Sequence, residues 1–301
     1  MIENMTMIEN MTSDRAETLR LEALAKFRNN ELEESLALFD EAFRLAEDDE
    51  LREMVTINKA GVLIQMRIDG PEIQQLPSIV LRRPNVSHTF YAAYNLQNRY
   101  TLSQEYRKAY NYVRIALEMA EEADNLAWLI GARNATGNIC VYESRNAEAI
   151  EHYREVLELT GTSEEHLLSR AFARQNLGYC LLLEGRPAEG VLLIHDAVEE
   201  MNRAGAGGYR AESYIDLCYA YLELDSLDEA RHYGNLGLEQ ATEDRQVRNA
   251  HYLLGEVAYK LGEQKVAMDH FEQLGRYYPD FPNLKNVLMA LDLRKVVNFK
   301  L

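Results

Sequence analysis

Leu284, Val287, Leu288 and Leu291 fall at three- and four-residue steps, the spacing that lines up side chains on one face of an α-helix. The stretch from about Glu164 to Glu184 predicts a long helix of the same kind. Runs with the two-residue alternation of a strand are missing. The chain therefore predicts an all-α protein, and the question becomes how the helices are grouped.

A longer period answers it. Near the end of the chain Leu254-Gly255 is followed by Ala267 after twelve residues, Phe271 four later and Pro279 eight after that. The same ruler falls on Leu177-Gly178 with Gly190 and Ile194, on Gly137 with Ala149 and Tyr153, and on Leu217-Cys218 with Tyr221 and Ala230. Earlier copies are Leu96-Gln97 with Tyr100, Ala109 and Val113, Ala23 with Ser35 and Phe39, and a degenerate one at Gly61. The second-helix anchors are then Ser35, Ile73, Ala109, Ala149, Gly190, Ala230 and Ala267, at intervals of 38, 36, 40, 41, 40 and 37 residues. That is seven units. Small residues recur where two helix backbones come closest, and an aromatic or branched residue fills the space beside them. Each hairpin has an apolar face it cannot bury alone, so neighbours stack in series.

This pattern resembles the tetratricopeptide repeat, with its Leu-Gly in the first helix, its Ala and aromatic in the second and its closing Pro. The resemblance covers about residues 14 to 279. It implies an all-α, right-handed α-α superhelix of about seven helix hairpins plus a C-terminal capping helix. The period exceeds the family's usual 34 residues, and the extra length is expected in a long first helix. Such long variants are similar to the repeats of kinesin light chains, spindle-orientation adaptors and bacterial peptide-pheromone receptors. The second unit is expected to be irregular, because Pro77 falls mid-helix and should kink or end it.

The domain reading is a tail over residues 1–13, a solenoid of seven repeats over 14–279, and a capping helix with an apolar tail over 280–301. The tail opens on a tandem copy, MIENMTMIENMT, and is left out of the fold argument. Asp14-Arg-Ala-Glu17, Asn30-Glu-Leu-Glu33 and Thr162-Ser-Glu-Glu165 have the spacing of capping boxes, and Pro71 and Pro187 suit a first helical position. Val296-Val297-Asn298-Phe299-Lys300-Leu301 is apolar for a chain end. It either folds back on its own repeats or pairs with a partner or a second copy.

Composition narrows the partners. A net charge of -17 over 301 residues repels phosphates and argues against nucleic acid. Cys140, Cys180 and Cys218 lie about 40 residues apart in apolar stretches, as reduced core residues of a cytoplasmic protein do. No stretch reaches the roughly 20 apolar residues that span a bilayer.

Catalytic motifs are missing: there is no phosphate-binding Gly-Lys-Ser/Thr loop, no GxSxG elbow, no HExxH and no paired CxxC. Gly205-Ala-Gly-Gly208 sits between two repeats and follows no strand, so it reads as a connector. His152, His195, His232 and His270 occupy second helices of different repeats, where a recurring structural position explains them better than convergence on a metal. The prediction is a non-enzyme with no catalytic residue, no cofactor and no metal.

The resemblance also implies a site, since in this family the first helices line a concave groove. Carried over residue by residue, that face comprises Asn58, Tyr91, Tyr94, Asn98, Asn134, Asn138, Tyr142, Gln175, Tyr179, Tyr219, Tyr252 and Tyr259, with Phe172, Ile215 and Asn249 alongside. Asn and Gln offer both a donor and an acceptor to any peptide backbone, and Tyr offers contact area at low entropic cost. The competing reading makes several of these tyrosines packing residues. Clustered Lys, needed to clamp an acidic chaperone tail, is missing. The reading is a scaffold or adaptor holding an extended peptide or partner tail. The alternatives are an assembly protein oligomerising, for instance as a homodimer, through its C-terminal segment, and a peptide-sensing regulator.

Overall fold

The computed structural model of the chain describes residues 2–294 and 298–300, with the backbone alone described for residues 2–13. Seven hairpins follow one another along the sequence: α1 (Ile2–Arg28) with α2 (Leu32–Leu45), α3 (Asp49–Met66) with α4 (Pro71–Arg82), α5 (Val86–Leu102) with α6 (Tyr106–Glu122), α7 (Leu126–Tyr142) with α8 (Asn146–Thr160), α9 (Leu167–Leu183) with α10 (Pro187–Arg203), α11 (Arg210–Glu223) with α12 (Leu227–Gln240), and α13 (Asp244–Lys260) with α14 (Gln264–Gln273). A short α15 (Leu284–Leu288) comes last. No strand occurs among the described residues. Packing divides the chain into two compact units, residues 1–132 and 133–301, with the division inside α7. None of the described helices is long and apolar enough to cross a membrane.

The anchors are where the period put them. Ser35, Ile73, Ala109, Ala149, Gly190, Ala230 and Ala267 are all buried, and the glycines opposite them have no room for a side chain. A Cβ on Gly137 would meet the Tyr153 ring at 2.6 Å, and one on Gly255 the Phe271 ring at 2.4 Å. In the α9/α10 hairpin the approach is backbone on backbone, with a Cβ on Gly190 falling 2.6 Å from the Gly178 carbonyl oxygen.

The turns repeat as faithfully. Asn30, Arg67, Gln104, Ser144, Gly185, Asp225 and Gly262, one per hairpin between first and second helix, have φ between 58 and 78°. Such left-handed residues close helices by returning an N–H to a carbonyl five residues back, as in Arg145 N to Cys140 O at 2.8 Å and Glu263 N to Ala258 O at 2.9 Å. Glycine takes the position only twice, so this signal is nearly silent in the sequence.

Several local expectations are corrected. α1 runs through residues 2–13, set aside above as a tail, so Asp14 caps nothing. Neither Asn30 nor Thr162 caps a helix; α2 and α9 start at Leu32 and Leu167 with no side-chain cap bond. The working caps include Asp48 on Leu51 N, Asn85 on His88 N, Asn125 on Trp128 N, and the reciprocal box of Glu243 and Gln246. α4 continues through Pro77 rather than ending at it, while Pro71 and Pro187 do open α4 and α10. The extra repeat length lies largely in the first helices, as expected: α3, α7 and α13 have 18, 17 and 17 residues against 12, 15 and 10 in α4, α8 and α14. In the α5/α6 and α9/α10 hairpins the second helix is as long as the first, with 17 residues each.

Candidate functional site

In the unit of residues 1–132 the predicted face is built as a packed aromatic and polar surface. Phe90 stacks on Trp128 at 4.3 Å and on Tyr94 at 5.6 Å, and Trp128 Nε1 donates to Tyr91 Oη at 3.1 Å. Burial raises the Tyr94 phenol above its ordinary range. Asn58 is buried and accepts from Arg20 Nη1 at 2.9 Å. Asn95 Nδ2 reaches back to the Ile57 carbonyl at 2.7 Å, tying α5 to α3. Asn98 is exposed and accepts from its neighbour Gln97 at 2.6 Å. Tyr91 and Tyr94 are half-buried and both take part in these ring contacts.

The unit of residues 133–301 is different, because part of its first-helix face is covered by the chain itself. After α15 the polypeptide turns back, and Asn298–Lys300 lies along α7, α9, α11 and α13. Asn249 Nδ2 donates to the Phe299 carbonyl at 2.5 Å, Arg245 Nη1 reaches the same oxygen at 3.3 Å, and the Phe299 N–H donates to Tyr179 Oη at 3.3 Å. The Phe299 ring is buried between Tyr219 and Tyr252, at 5.1 and 5.5 Å between centroids. Asn298 Nδ2 donates to the Val141 carbonyl at 2.9 Å. Upstream, Tyr219 Oη donates to the Arg294 carbonyl at 3.0 Å, and Tyr252 Oη accepts from Leu293 N at 2.8 Å. Of the two readings of the C-terminal segment, this is the fold-back; Val296, Val297 and Leu301 lie outside the described residues.

Lys300 ends the segment in an acidic box. Its Nζ donates to Asp216 Oδ2 and Glu212 Oε1, both at 2.8 Å, and sits 4.5 Å over the Tyr179 ring. Gln175 Nε2 supplies Asp216 with a further donor at 3.1 Å, and Arg245 pairs with Glu212 at 2.9 Å. Burial pushes the Asp216 carboxyl up to about 6, against the pull of the Lys300 ammonium. Burial also opposes ionisation of Glu212, but Lys300 and Arg245 outweigh it and hold that carboxyl near 2.

Of the predicted residues, Gln175, Tyr179, Tyr219 and Tyr252 are brought together around this segment. Tyr142 and Asn138 line a polar cavity of about 280 Å³ that continues the cleft beside Lys300, with Gln175, Asn176, Glu212 and Arg245. Asn138 is committed within the fold, accepting from Tyr153 Oη at 2.7 Å and from Asn176 Nδ2 at 3.1 Å. Asn134 Nδ2 donates to the Ser169 carbonyl at 3.2 Å, while its buried Oδ1 has no partner. Tyr259 is 46% exposed and stands apart.

Glu212, Asp216 and Arg245 were missed. The signal was available: Glu212, Asp216 and Tyr219 step by four and three residues along one face of α11, so the stripe that gave Tyr219 runs through both acids. A second missed convergence is Cys140, Glu148 and His152, whose donor atoms lie within 4.8 Å of one another. Arg145 already holds Glu148 at 2.6 Å, and burial pushes the Cys140 thiol up to about 12, so this set is arranged as a packed hairpin contact.

No protein-family model and no curated relative matches the chain by sequence. In three dimensions it is similar to NprR in complex with its cognate peptide NprX, with a TM-score of 0.67 at 13% identity over 91% of this chain and 81% of that one. The apo form of RapI gives 0.66 at 12% identity, over 88% and 77%. A tetratricopeptide repeat protein from Parabacteroides merdae ATCC 43184 gives 0.53 at 15%, over 92% and 98%. At such identities the likeness concerns the fold, and the fold is that of the tetratricopeptide repeat.

Proposed function

We propose that the cleft on the first-helix face of residues 133–301 binds an extended peptide or partner tail, so that the protein works as a protein-interaction module, with no chemistry of its own in this reading. The observation that carries it is the treatment of Phe299: its carbonyl and its N–H are each met by a side chain of the cleft, Asn249 and Tyr179. Bonds to main-chain groups are how a groove holds a strand of any sequence, with pockets adding selectivity. NprR, which was solved with its cognate peptide NprX, supports the reading through its fold.

The test is selection of peptides from a displayed random library by the full chain carrying Lys300→Glu, which frees the cleft of its own segment, and by the same chain with Gln175→Ala/Asn249→Ala added, its helicity and melting checked first. Peptides enriched by the first chain should bind the second at least about tenfold more weakly, the loss of one to two net hydrogen bonds. Equal binding by a folded variant, or no enrichment by either chain, overturns the reading.

A second reading rests on exposed apolar side chains near the end of the chain. Phe281 is 65% and Leu291 55% exposed, apolar side chains open to contact with a second copy. Light scattering of the parent and of Phe281→Asp/Leu291→Asp decides it: a dimer that becomes a monomer supports assembly, and equal masses remove it.

A further inference from the structure

The box around Lys300 makes sense only with a cation inside. Asp216 is buried and the Glu212 side chain is 15% exposed, and of these two acids the fixed cation Arg245 pairs with Glu212. With Lys300 withdrawn, Asp216 would keep one neutral amide donor, Gln175, and burial would drive its carboxylate to take up a proton, so the charged form of the box is completed by a cation. The Tyr179 ring forms a wall of the same box, offering its face to the ammonium. One residue earlier, the slot between Tyr219 and Tyr252 opens onto an apolar cavity of about 270 Å³, lined among others by Leu274, Leu288 and Leu293. An aromatic slot and a main-chain clamp at Phe299 are thus followed one residue on by an ammonium box. The polar cavity of about 280 Å³ beyond Lys300 leaves space for more polypeptide than Asn298–Lys300 fills.

We infer that the cleft selects a peptide carrying an aromatic residue followed directly by lysine, and that Asn298–Lys300 is an internal copy of that ligand which an incoming peptide must displace. This rests on the peptide-binding reading above and adds to it the ligand's chemistry and a built-in competitor. A tethered competitor acts at an effective concentration on the order of 1 mM. With an intrinsic Kd of about 10 μM for the internal segment, an external peptide is then weakened roughly 100-fold on the parent chain.

The test uses the labelled heptapeptide Lys-Val-Val-Asn-Phe-Lys-Leu, the sequence of residues 295–301, in fluorescence anisotropy. The full chain carrying Lys300→Glu, which ejects the internal segment by charge, should bind it at least about tenfold more tightly than the parent. A chain ending at Arg294, which keeps the Arg294 pair with Glu223 at 2.9 Å, should behave the same way and stands in if the first variant melts early. On either opened chain, methionine in place of the second lysine of the peptide should cost at least about tenfold. Asp216→Asn should cost a similar factor, and the two changes together no more than either alone. Equal affinity of the parent and both opened chains, or indifference to the lysine, overturns the inference. If the heptapeptide fails on opened chains that still bind library-selected peptides, the inference falls and the peptide-binding reading stands. If neither binds, both fall.

Discussion

The side-chain amide of Asn249 donates to the backbone carbonyl of Phe299 at 2.5 Å across a gap of fifty residues. Placing α13 and the last part of the chain in register this way costs Asn249 its solvation, which the bond returns. Asn249→Ala should therefore loosen the segment without unfolding the repeats. Losing about 1 kcal/mol predicts roughly fivefold faster exchange of the Phe299 amide hydrogen, with protection in α9 unchanged. Unaltered exchange at Phe299 counts against the docked geometry.

Gly190 and Gly178 let two helices touch through their backbones. The carbonyl at 2.6 Å from a Gly190 Cβ belongs to the main chain and cannot swing aside as a side chain can. Gly190→Ala gains helix propensity of about 1 kcal/mol but overpacks by roughly 2–3 kcal/mol, for a net loss of about 1–2 kcal/mol in urea unfolding. Gly208→Ala, with nothing within 4 Å of its Cβ, should be near neutral.

Arg170 holds Glu200 at 2.6 Å and also donates to the carbonyls of Gly161 and Ser163, pinning the loop that enters α9. Removing one partner of a buried pair typically costs about 3–5 kcal/mol. Arg174, 3.3 Å from the same Glu200 oxygen, puts Arg170→Ala at the lower end. Arg170→Met/Glu200→Leu should recover most of the loss, and a double variant less stable than Arg170→Ala would contradict this account.

His251 and His270 share a hydrogen bond between their Nδ1 atoms at 3.0 Å. Such a bond needs one ring to accept, so both cannot be protonated. Burial, then the facing His270, lower the His251 pKa to about 4. The unfolded chain, near 6.5, binds the proton more readily, so this group's stability contribution is complete above 6.5 and lost as pH falls towards 4. His251→Gln should flatten the stability profile in that window by up to one proton; a parallel profile would show that the pair does not titrate as described.

Much of the fold was legible because close backbone approach tolerates few residue types. Ala149, Gly190, Ala230 and Ala267 mark such contacts openly. Helix starts were harder: Asn30 and Thr162 have the composition of caps, yet the left-handed turn and the loop pinned by Arg170 decide where α2 and α9 begin. Within the site, Tyr179, Tyr219 and Tyr252 followed from their place on the first helices. Asp216 and Glu212 did not, since an acidic chain of net charge -17 makes any carboxylate look like part of a solvated surface. Asn138 lines the polar cavity, but composition names only a donor and an acceptor, and packing alone reveals that Tyr153 has already taken the acceptor.

The clamp on Phe299 through its carbonyl and N–H has a practical consequence. On the proposed reading, whatever lies in the cleft is gripped by features that every residue but proline possesses, and identity is tested at two adjoining chambers. Rewriting those chambers, for example by exchanging the acids at 212 and 216 for basic residues, should redirect the scaffold to a different address label while the machinery that grips the polymer stays as it is.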